Sequence, residues 1–376
     1  MTATVLLSGI ISFAYVWFAL RMYSLWKRIP TLLLHHEVWP FISVIICMRN
    51  ESRNISRVLE ALVLQDYPEG TFEIIVADDS SEDDSVLIVE KFAMKHPERN
   101  IKILKAASMQ KPGKKFALAS AAKDAKGEVV AMTDADCTMN NTWLKTMVSH
   151  HITSGAELTA GPVRLTGSSF FQHLQQIEFM SLAGTTGSFI QMRKPLMVNA
   201  ANLMFNKQSF IDSGRLNPQE SMASGDDTFF MLKLAEKNPD AISFCKQEAA
   251  IVETPALPSW HEFIQQRIRW ASKTKHYPAF YIRLTGISLF AFHVIIILFV
   301  TLAVVNPAFV VPASVLLFSK WMADAILLAL YNRFFKIRTG LLAWIITFLL
   351  HPLYLTLIPL LTLKRNYRWK GRTGKT

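Results

Sequence analysis

The 376-residue sequence contains only three cysteines, Cys47, Cys137 and Cys245, far apart and with no C-x-x-C pair. That argues against a disulfide framework or a cysteine zinc site and fits packed thiols in a reducing compartment. Charged residues are absent from residues 1–20 and scarce across 284–363. Neither stretch therefore reads as part of an ordinary soluble domain. No internal repeat or low-complexity segment is present. No RNA- or DNA-binding motif accompanies the net charge of +11, so nucleic acid is not expected as a partner.

What is present is apolar material at both ends, within a chain that is 51% hydrophobic. Ala3 to Leu20 approaches the length that crosses a bilayer core, and it lacks the basic leader and small-residue cleavage site of a secretory signal. Arg21, Lys27 and Arg28 follow it, placing the next domain on the cytoplasmic side of the cell (inner) membrane. Further apolar blocks lie near 286–304, 309–331 and 341–363, and Pro352 and Pro359 break the last. Arg333, Lys336 and Arg338 precede that block, and Lys364, Arg365, Arg368, Lys370, Arg372 and Lys375 follow it. The positive-inside rule prefers both basic groups on one face, so the last block is expected to be re-entrant or interfacial. The resulting division is an N-terminal span at 1–22, a cytoplasmic domain with interfacial helices at 38–280, membrane or re-entrant helices at 281–365 and a basic tail at 366–376.

The middle region alternates short β-branched runs with helical patterns. Phe41–Cys47, Glu73–Ala77, Ile101–Leu104 and Glu128–Thr133 read as strands. Arg53–Gln65, Ser81–Lys95 and Lys114–Lys126 read as helices. This alternation predicts an α/β domain with a parallel sheet covered on both faces, and ligands in such sheets bind beyond the carboxyl ends of the strands. From about 155 to 275, strands such as Glu157–Val163 mix with longer helices.

The acidic clusters fall at those carboxyl ends. Asp134-Ala135-Asp136 closes one strand, where two carboxylates one residue apart suit a hard cation such as Mg²⁺ or Mn²⁺. A solvated turn is the bland alternative. Asp78-Asp79-Ser80-Ser81 closes another strand and is suited to accept from a base or ribose, or to cap a helix, with Ser81 and Asp84 as a further local cap. Lys114-Lys115 open a helix after Pro112-Gly113, a setting that suits an anionic diphosphate. Gly225-Asp226-Asp227 opens another helix and offers either a cap or a general base. Gln266-Arg267-Ile268-Arg269-Trp270 ends a helical stretch that begins near Ser259. Its arginines suit phosphate and its tryptophan a sugar or base, and a membrane-surface helix anchored by Trp260 and Trp270 is compatible with both.

In this order, these pieces resemble the membrane-bound inverting glycosyltransferases of family 2. Relatives in that family include cellulose, chitin, hyaluronan and poly-N-acetylglucosamine synthases and ceramide glucosyltransferase. The resemblance covers roughly residues 40–275. It rests on Arg49-Asn50-Glu51, Asp78-Asp79-Ser80, Gly113-Lys114-Lys115, Asp134-Ala135-Asp136, Gly225-Asp226-Asp227 and Q-x-x-R-W at Gln266, Arg269 and Trp270. Trp369-Lys370-Gly371-Arg372 also resembles the ending of such enzymes. The resemblance implies a GT-A, Rossmann-like nucleotide-sugar-binding domain with flanking membrane helices. Asp79, with Asp78, would contact uridine, Lys114 would face the donor, and Asp134 and Asp136 would hold nucleotide and metal. Asp227 would be the catalytic base, with Gln266, Arg269 and Trp270 at the diphosphate and acceptor end. Gly161-Pro162-Val163 and Asn199–Phe205 resemble walls of the acceptor site. The implied reaction is hexosyl transfer from a UDP-sugar to a membrane lipid, with a processive polysaccharide synthase as the alternative and an inactive membrane scaffold as a third reading.

Overall fold

The structure is a computed structural model that describes residues 2–31, 38–105, 113–214 and 226–363, with the backbone alone of 367–369 and 372–374. In chain order the elements are α1 (Thr2–Arg28), β1 (Ile42–Met48), α2 (Ile55–Val63), β2 (Phe72–Asp78), α3 (Ser85–Lys95), β3 (Asn100–Leu104), α4 (Lys114–Asp124) and β4 (Val129–Asp134). They continue through β5 (Thr138–Met139), α5 (Trp143–Ser154), β6 (Leu158–Ala160), β7 (Val163–Thr166), α6 (Phe170–Gln191), β8 (Leu203–Asn206), α7 (Lys207–Asp212) and α8 (Asp226–Lys237). The last are β9 (Ile242–Phe244), β10 (Val252–Pro255), α9 (Trp260–Ala271), α10 (Phe280–Val305), α11 (Val310–Phe335), α12 (Leu341–Thr362), β11 (Tyr367–Trp369) and β12 (Arg372–Gly374). They fall into two compact units, one of residues 29–166 and 189–255, the other of 1–28, 167–188 and 256–376.

The first unit is built on a seven-stranded sheet in the order β3-β2-β1-β4-β8-β6-β9. Every residue of β1 and β2 is buried, as the unbroken β-branched runs require of strands covered on both faces. β1 runs parallel to β2 and β4, with Met48 opposite Asp78 and Cys47 opposite Asp134, so three strand ends finish level at one edge. β8 enters antiparallel between β4 and β6, so the sheet is mixed rather than wholly parallel as expected from the alternation. The expected strand Glu157–Val163 is in fact two. β6 joins the large sheet, and β7 pairs with β10 in a separate three-stranded sheet with β5. The break falls at Gly161-Pro162, where a Cβ on Gly161 would stand 2.3 Å from the Asn202 amide and Pro162 has no N–H for a ladder.

The opposite end of the sheet is pinned by a buried carboxylate. Glu73 accepts from the Ser43 hydroxyl at 2.7 Å and the Lys126 N–H at 2.7 Å, and the Lys102 ammonium lies 3.0 Å away. Burial alone would raise its pKa, but these donors hold it below the ordinary glutamate value. Gly127 completes the arrangement, because a Cβ there would stand 2.7 Å from the Ser43 nitrogen.

Among the described residues of the second unit, four helices are long and apolar enough to cross a membrane: α1, α10, α11 with its leading turn, and α12. At about 1.5 Å per residue, the 27 residues of α1 exceed a hydrocarbon core of about 30 Å. α12 runs unbroken through Pro352 and Pro359, contrary to the expected break. Each proline removes only one N–H, and apolar helices tolerate such losses. Trp26 of α1 packs edge-on to Tyr331 of α11 at 5.0 Å, and Gly184 of α6 admits that tyrosine, since a Cβ would meet its ring at 2.5 Å. Two charges inside this bundle partner one another. Lys320 reaches Asp324 at 2.5 Å, and Tyr15 donates to the same carboxylate at 2.6 Å.

Candidate functional site

The level ends of β1, β2 and β4 generate the candidate site, and the loops leaving them are tied together. Asn50 and Ser80 both adopt positive φ, at 52° and 60°. Those conformations place the Asn50 N–H 3.0 Å from the Ser81 hydroxyl and the Asn50 side-chain oxygen 2.8 Å from the Glu82 N–H. Arg49 donates to the Asp79 carbonyl at 3.1 Å. Asp78 accepts from the Ser81 N–H at 3.2 Å, so it does the local capping that its residue type favours. The expected Ser81–Asp84 cap does not form. Asp83 takes that place, accepting from the Ser85 N–H at 3.1 Å and the Ser52 N–H at 3.0 Å.

Asp79 is almost wholly buried and accepts from the Gly113 N–H at 2.6 Å, at the start of α4. Gly113 has φ of 137°, a conformation open mainly to glycine. The next residue, Lys114, crosses to β4, where its ammonium meets the Asp134 carboxylate at 2.5 Å. Burial opposes that charge, but Asp134, and beyond it Asp227, hold the lysine pKa above its ordinary value. Lys114, Asp134 and Asp227 therefore share one electrostatic neighbourhood, drawn from α4, β4 and α8.

Asp227 is held by the backbone. Its carboxylate accepts from the Ala200 N–H at 3.1 Å and the Thr228 N–H at 2.8 Å. Ala200 opens a 3-10 turn, Ala200–Asn202, whose Ala201 carbonyl accepts from Thr133 at 2.9 Å. One turn thus fixes both the residue before Asp134 and the carboxylate of Asp227. Asn202 anchors that turn: it is fully buried, donates to the Pro162 carbonyl at 2.8 Å and the Ala250 carbonyl at 2.7 Å, and accepts from the Trp143 indole at 3.0 Å. Asn199–Phe205 and Gly161-Pro162-Val163 accordingly meet at Asn202. Gly225 lies outside the described residues, as does the side chain of Asp226.

Asp136 is partly buried, with the Cys137 thiol 3.8 Å from its carboxylate. Asp134 and Asp136 offer the oxygen donors that hard divalent cations prefer. No group of three or more His, Cys, Asp or Glu that could hold a metal stands together among the described residues. This donor set fits a cation whose remaining ligands are substrate phosphates and water rather than a self-sufficient cage.

Gln266, Arg269 and Trp270 lie on α9, in the other unit. Ser259 caps this helix, accepting from the Glu262 N–H at 3.3 Å. Arg267, between the motif residues, forms the buried ion pair there. Its guanidinium meets Glu178 of α6 at 3.1 and 2.5 Å and stacks 4.4 Å from the rings of both Phe263 and Trp270. Sequence reading missed Glu178, took Arg267 only as one of the motif's phosphate-suited arginines, and reached Asn202 only as part of the Asn199–Phe205 wall. For the anchoring role of Asn202 the residue-level signal was a polar side chain inside the apolar run Ala200–Phe205. The Lys370-Gly371 pair of the tail motif lies outside the described residues.

The sequence pattern of Glycosyl transferase family 2 matches residues 43–214, from the second residue of β1 to just beyond α7. The chain carries a family 2 glycosyltransferase domain. The strand ends at Asp78 and Asp134, and the Asn202 turn, all lie within it. Over 127 residues the chain is 33% identical to the glycosyltransferase AglE of Haloferax volcanii, covering 34% of this chain and 40% of that protein. Over 241 residues it is 24% identical to a beta-monoglucosyldiacylglycerol synthase of Trichormus variabilis, covering 62% of this chain and 48% of the relative. The chain thus spans less than half the length of these relatives. In fold it is similar to the mannosyltransferase PcManGT from Pyrobaculum calidifontis, solved with GDP-Man and Mn²⁺, at a TM-score of 0.55 and 17% identity over 97% of this chain and 98% of that one. The GT-A, Rossmann-like character of the family 2 domain agrees with that likeness.

Proposed function

We propose that the protein is a metal-dependent inverting hexosyltransferase that moves a sugar from a UDP-sugar to a hydroxyl of a membrane lipid. The observation that carries this reading is the Lys114–Asp134 ion pair at the carboxyl edge of the sheet, with Asp227 tied to the same strand end through the Ala200–Asn202 turn. Asp227, oriented by two backbone N–H groups, takes the proton from the acceptor hydroxyl. The acceptor oxygen bonds to the anomeric carbon as the bond from that carbon to the diphosphate breaks, and the configuration inverts. Lys114 and Arg269 stabilise the departing UDP, Asp78 and Asp79 face the uridine, and Gln266 and Trp270 serve the diphosphate and acceptor end. Mg²⁺ or Mn²⁺ held by Asp134 and Asp136 would neutralise charge developing on the diphosphate.

A lipid acceptor accords with the four apolar helices and with the name of the beta-monoglucosyldiacylglycerol synthase relative. Arg21, Lys27 and Arg28 after the first apolar segment support a cytoplasmic catalytic domain on the cell membrane. A re-entrant or interfacial α12 is supported by Tyr354, which sits beyond the middle of that helix and bonds the charged Arg267–Glu178 pair at 3.1 and 2.8 Å. A charged pair of this kind is costly at the bilayer centre. Calorimetry of the full chain with UDP tests the reading. UDP should bind in the presence of Mg²⁺ or Mn²⁺ and weaken at least tenfold in Asp136→Asn, whereas no binding with either ion would overturn it.

A further inference from the structure

Arg267 is not one of the motif residues, yet both of its motif neighbours touch it. The Gln266 side-chain oxygen accepts from its guanidinium, and the Trp270 ring lies against one guanidinium face at 4.4 Å. Phe263, also on α9, stacks on the guanidinium at 4.4 Å, and the polar contacts beyond Gln266 come from other helices. Glu178 of α6 takes two guanidinium N–H groups side by side, and Tyr354 of α12 bonds both members of the pair. The Arg267 and Glu178 side chains are only 3% and 10% exposed. An apolar contact would hold α9 to α6 and α12 at least as well, because desolvating two charges is expensive. What the ion pair adds is direction: a planar fork that fixes two adjacent side chains at once.

We propose that Arg267, Glu178 and Tyr354 form a positioning device for Gln266 and Trp270, so that α6 and α12 set the orientation of the sugar- and diphosphate-facing end of α9. This rests on the function proposed above for the motif residues. Arg267 does not touch substrate in this account. Its planar cation spaces Gln266 and Trp270, Glu178 fixes the plane of that cation, and Tyr354 fixes Glu178. A lysine at 267 keeps the charge and pairs with Glu178, but supplies neither the flat face nor the paired donors.

The test uses the full-length protein in detergent with Arg267→Lys and Tyr354→Phe. Hydrogen–deuterium exchange over 260–271, thermal unfolding, UDP affinity and transfer kinetics would be measured together. In Arg267→Lys, exchange in α9 should accelerate at least tenfold and UDP affinity should weaken, while the unfolding midpoint stays near wild type. The kcat for transfer should fall at least tenfold and the acceptor KM should rise, with Tyr354→Phe showing the same pattern more weakly. Wild-type exchange in α9 for both variants would overturn the proposal, as would activity losses that simply track the unfolding midpoint. If the wild-type protein transfers no sugar from any nucleotide sugar, the functional reading fails, and α9 exchange still decides whether the device orients the helix.

Discussion

Asp227→Asn separates a catalytic carboxylate from a helix cap more sharply than any other single change. Asparagine keeps one oxygen, so one of the two backbone N–H groups, from Ala200 or Thr228, retains its acceptor and the other faces an amide. Losing one such bond at a half-buried site costs about 1 kcal/mol of folding free energy. Lys114 keeps Asp134 as its direct partner at 2.5 Å, so the cationic side of the site stays assembled. UDP affinity should therefore stay within about threefold of wild type, less than 1 kcal/mol. Turnover is a different matter, since general-base help is worth about 10²–10⁴ in rate, or roughly 3–5 kcal/mol of barrier. Sugar transfer by radiolabel or mass spectrometry, set beside UDP calorimetry on the same preparation, reads both quantities. Wild-type turnover in the variant would refute the assignment of Asp227. A parallel collapse of UDP affinity would show that its role is structural.

Lys114→Met should weaken UDP at least tenfold by calorimetry while leaving the unfolding midpoint nearly unchanged, because a pair whose side chains are about a third exposed contributes at most about 1 kcal/mol to folding. Gly161→Ala drives a Cβ to 2.3 Å from the Asn202 amide and should cost about 1–3 kcal/mol in denaturant unfolding, with loss of transfer as the Ala200–Asn202 turn shifts. Glu73 has a folded pKa below its ordinary value of 4.5, so protonation favours the unfolded state. Its stabilisation is complete above that value and is lost as pH falls through the lower folded pKa. Glu73→Gln should therefore flatten the pH dependence of unfolding in acid, and an unchanged slope would count against the Ser43–Glu73–Lys102 network.

The strands that build the site were legible because burial on both faces writes itself as unbroken runs, as in Ile42–Met48 and Phe72–Asp78. Their acidic ends were legible for the same reason: a carboxylate directly after such a run marks where the chain leaves the core. The antiparallel entry of β8 and the split at Gly161-Pro162 were not. Both depend on Asn202, a single buried amide whose three partners lie 40, 48 and 59 residues away along the chain. Capping was misplaced by one residue because Asp83 also holds the Ser52 N–H across the loops, a demand that local spacing does not reveal. In Gln266-Arg267-Ile268-Arg269-Trp270, spacing alone does not say which arginine turns inward. Glu178, 89 residues earlier, selects Arg267.

The central claim is that this chain moves one sugar onto a membrane lipid. Its most direct test is mass analysis of the products formed when the purified full-length protein is given a panel of nucleotide sugars, Mg²⁺ or Mn²⁺ and membrane lipid extract. The account predicts one discrete glycolipid, a single hexose heavier than its acceptor, formed from a UDP-sugar. A ladder of lengthening glycans would contradict single transfer, and no sugar-bearing product from any donor would contradict the enzyme itself.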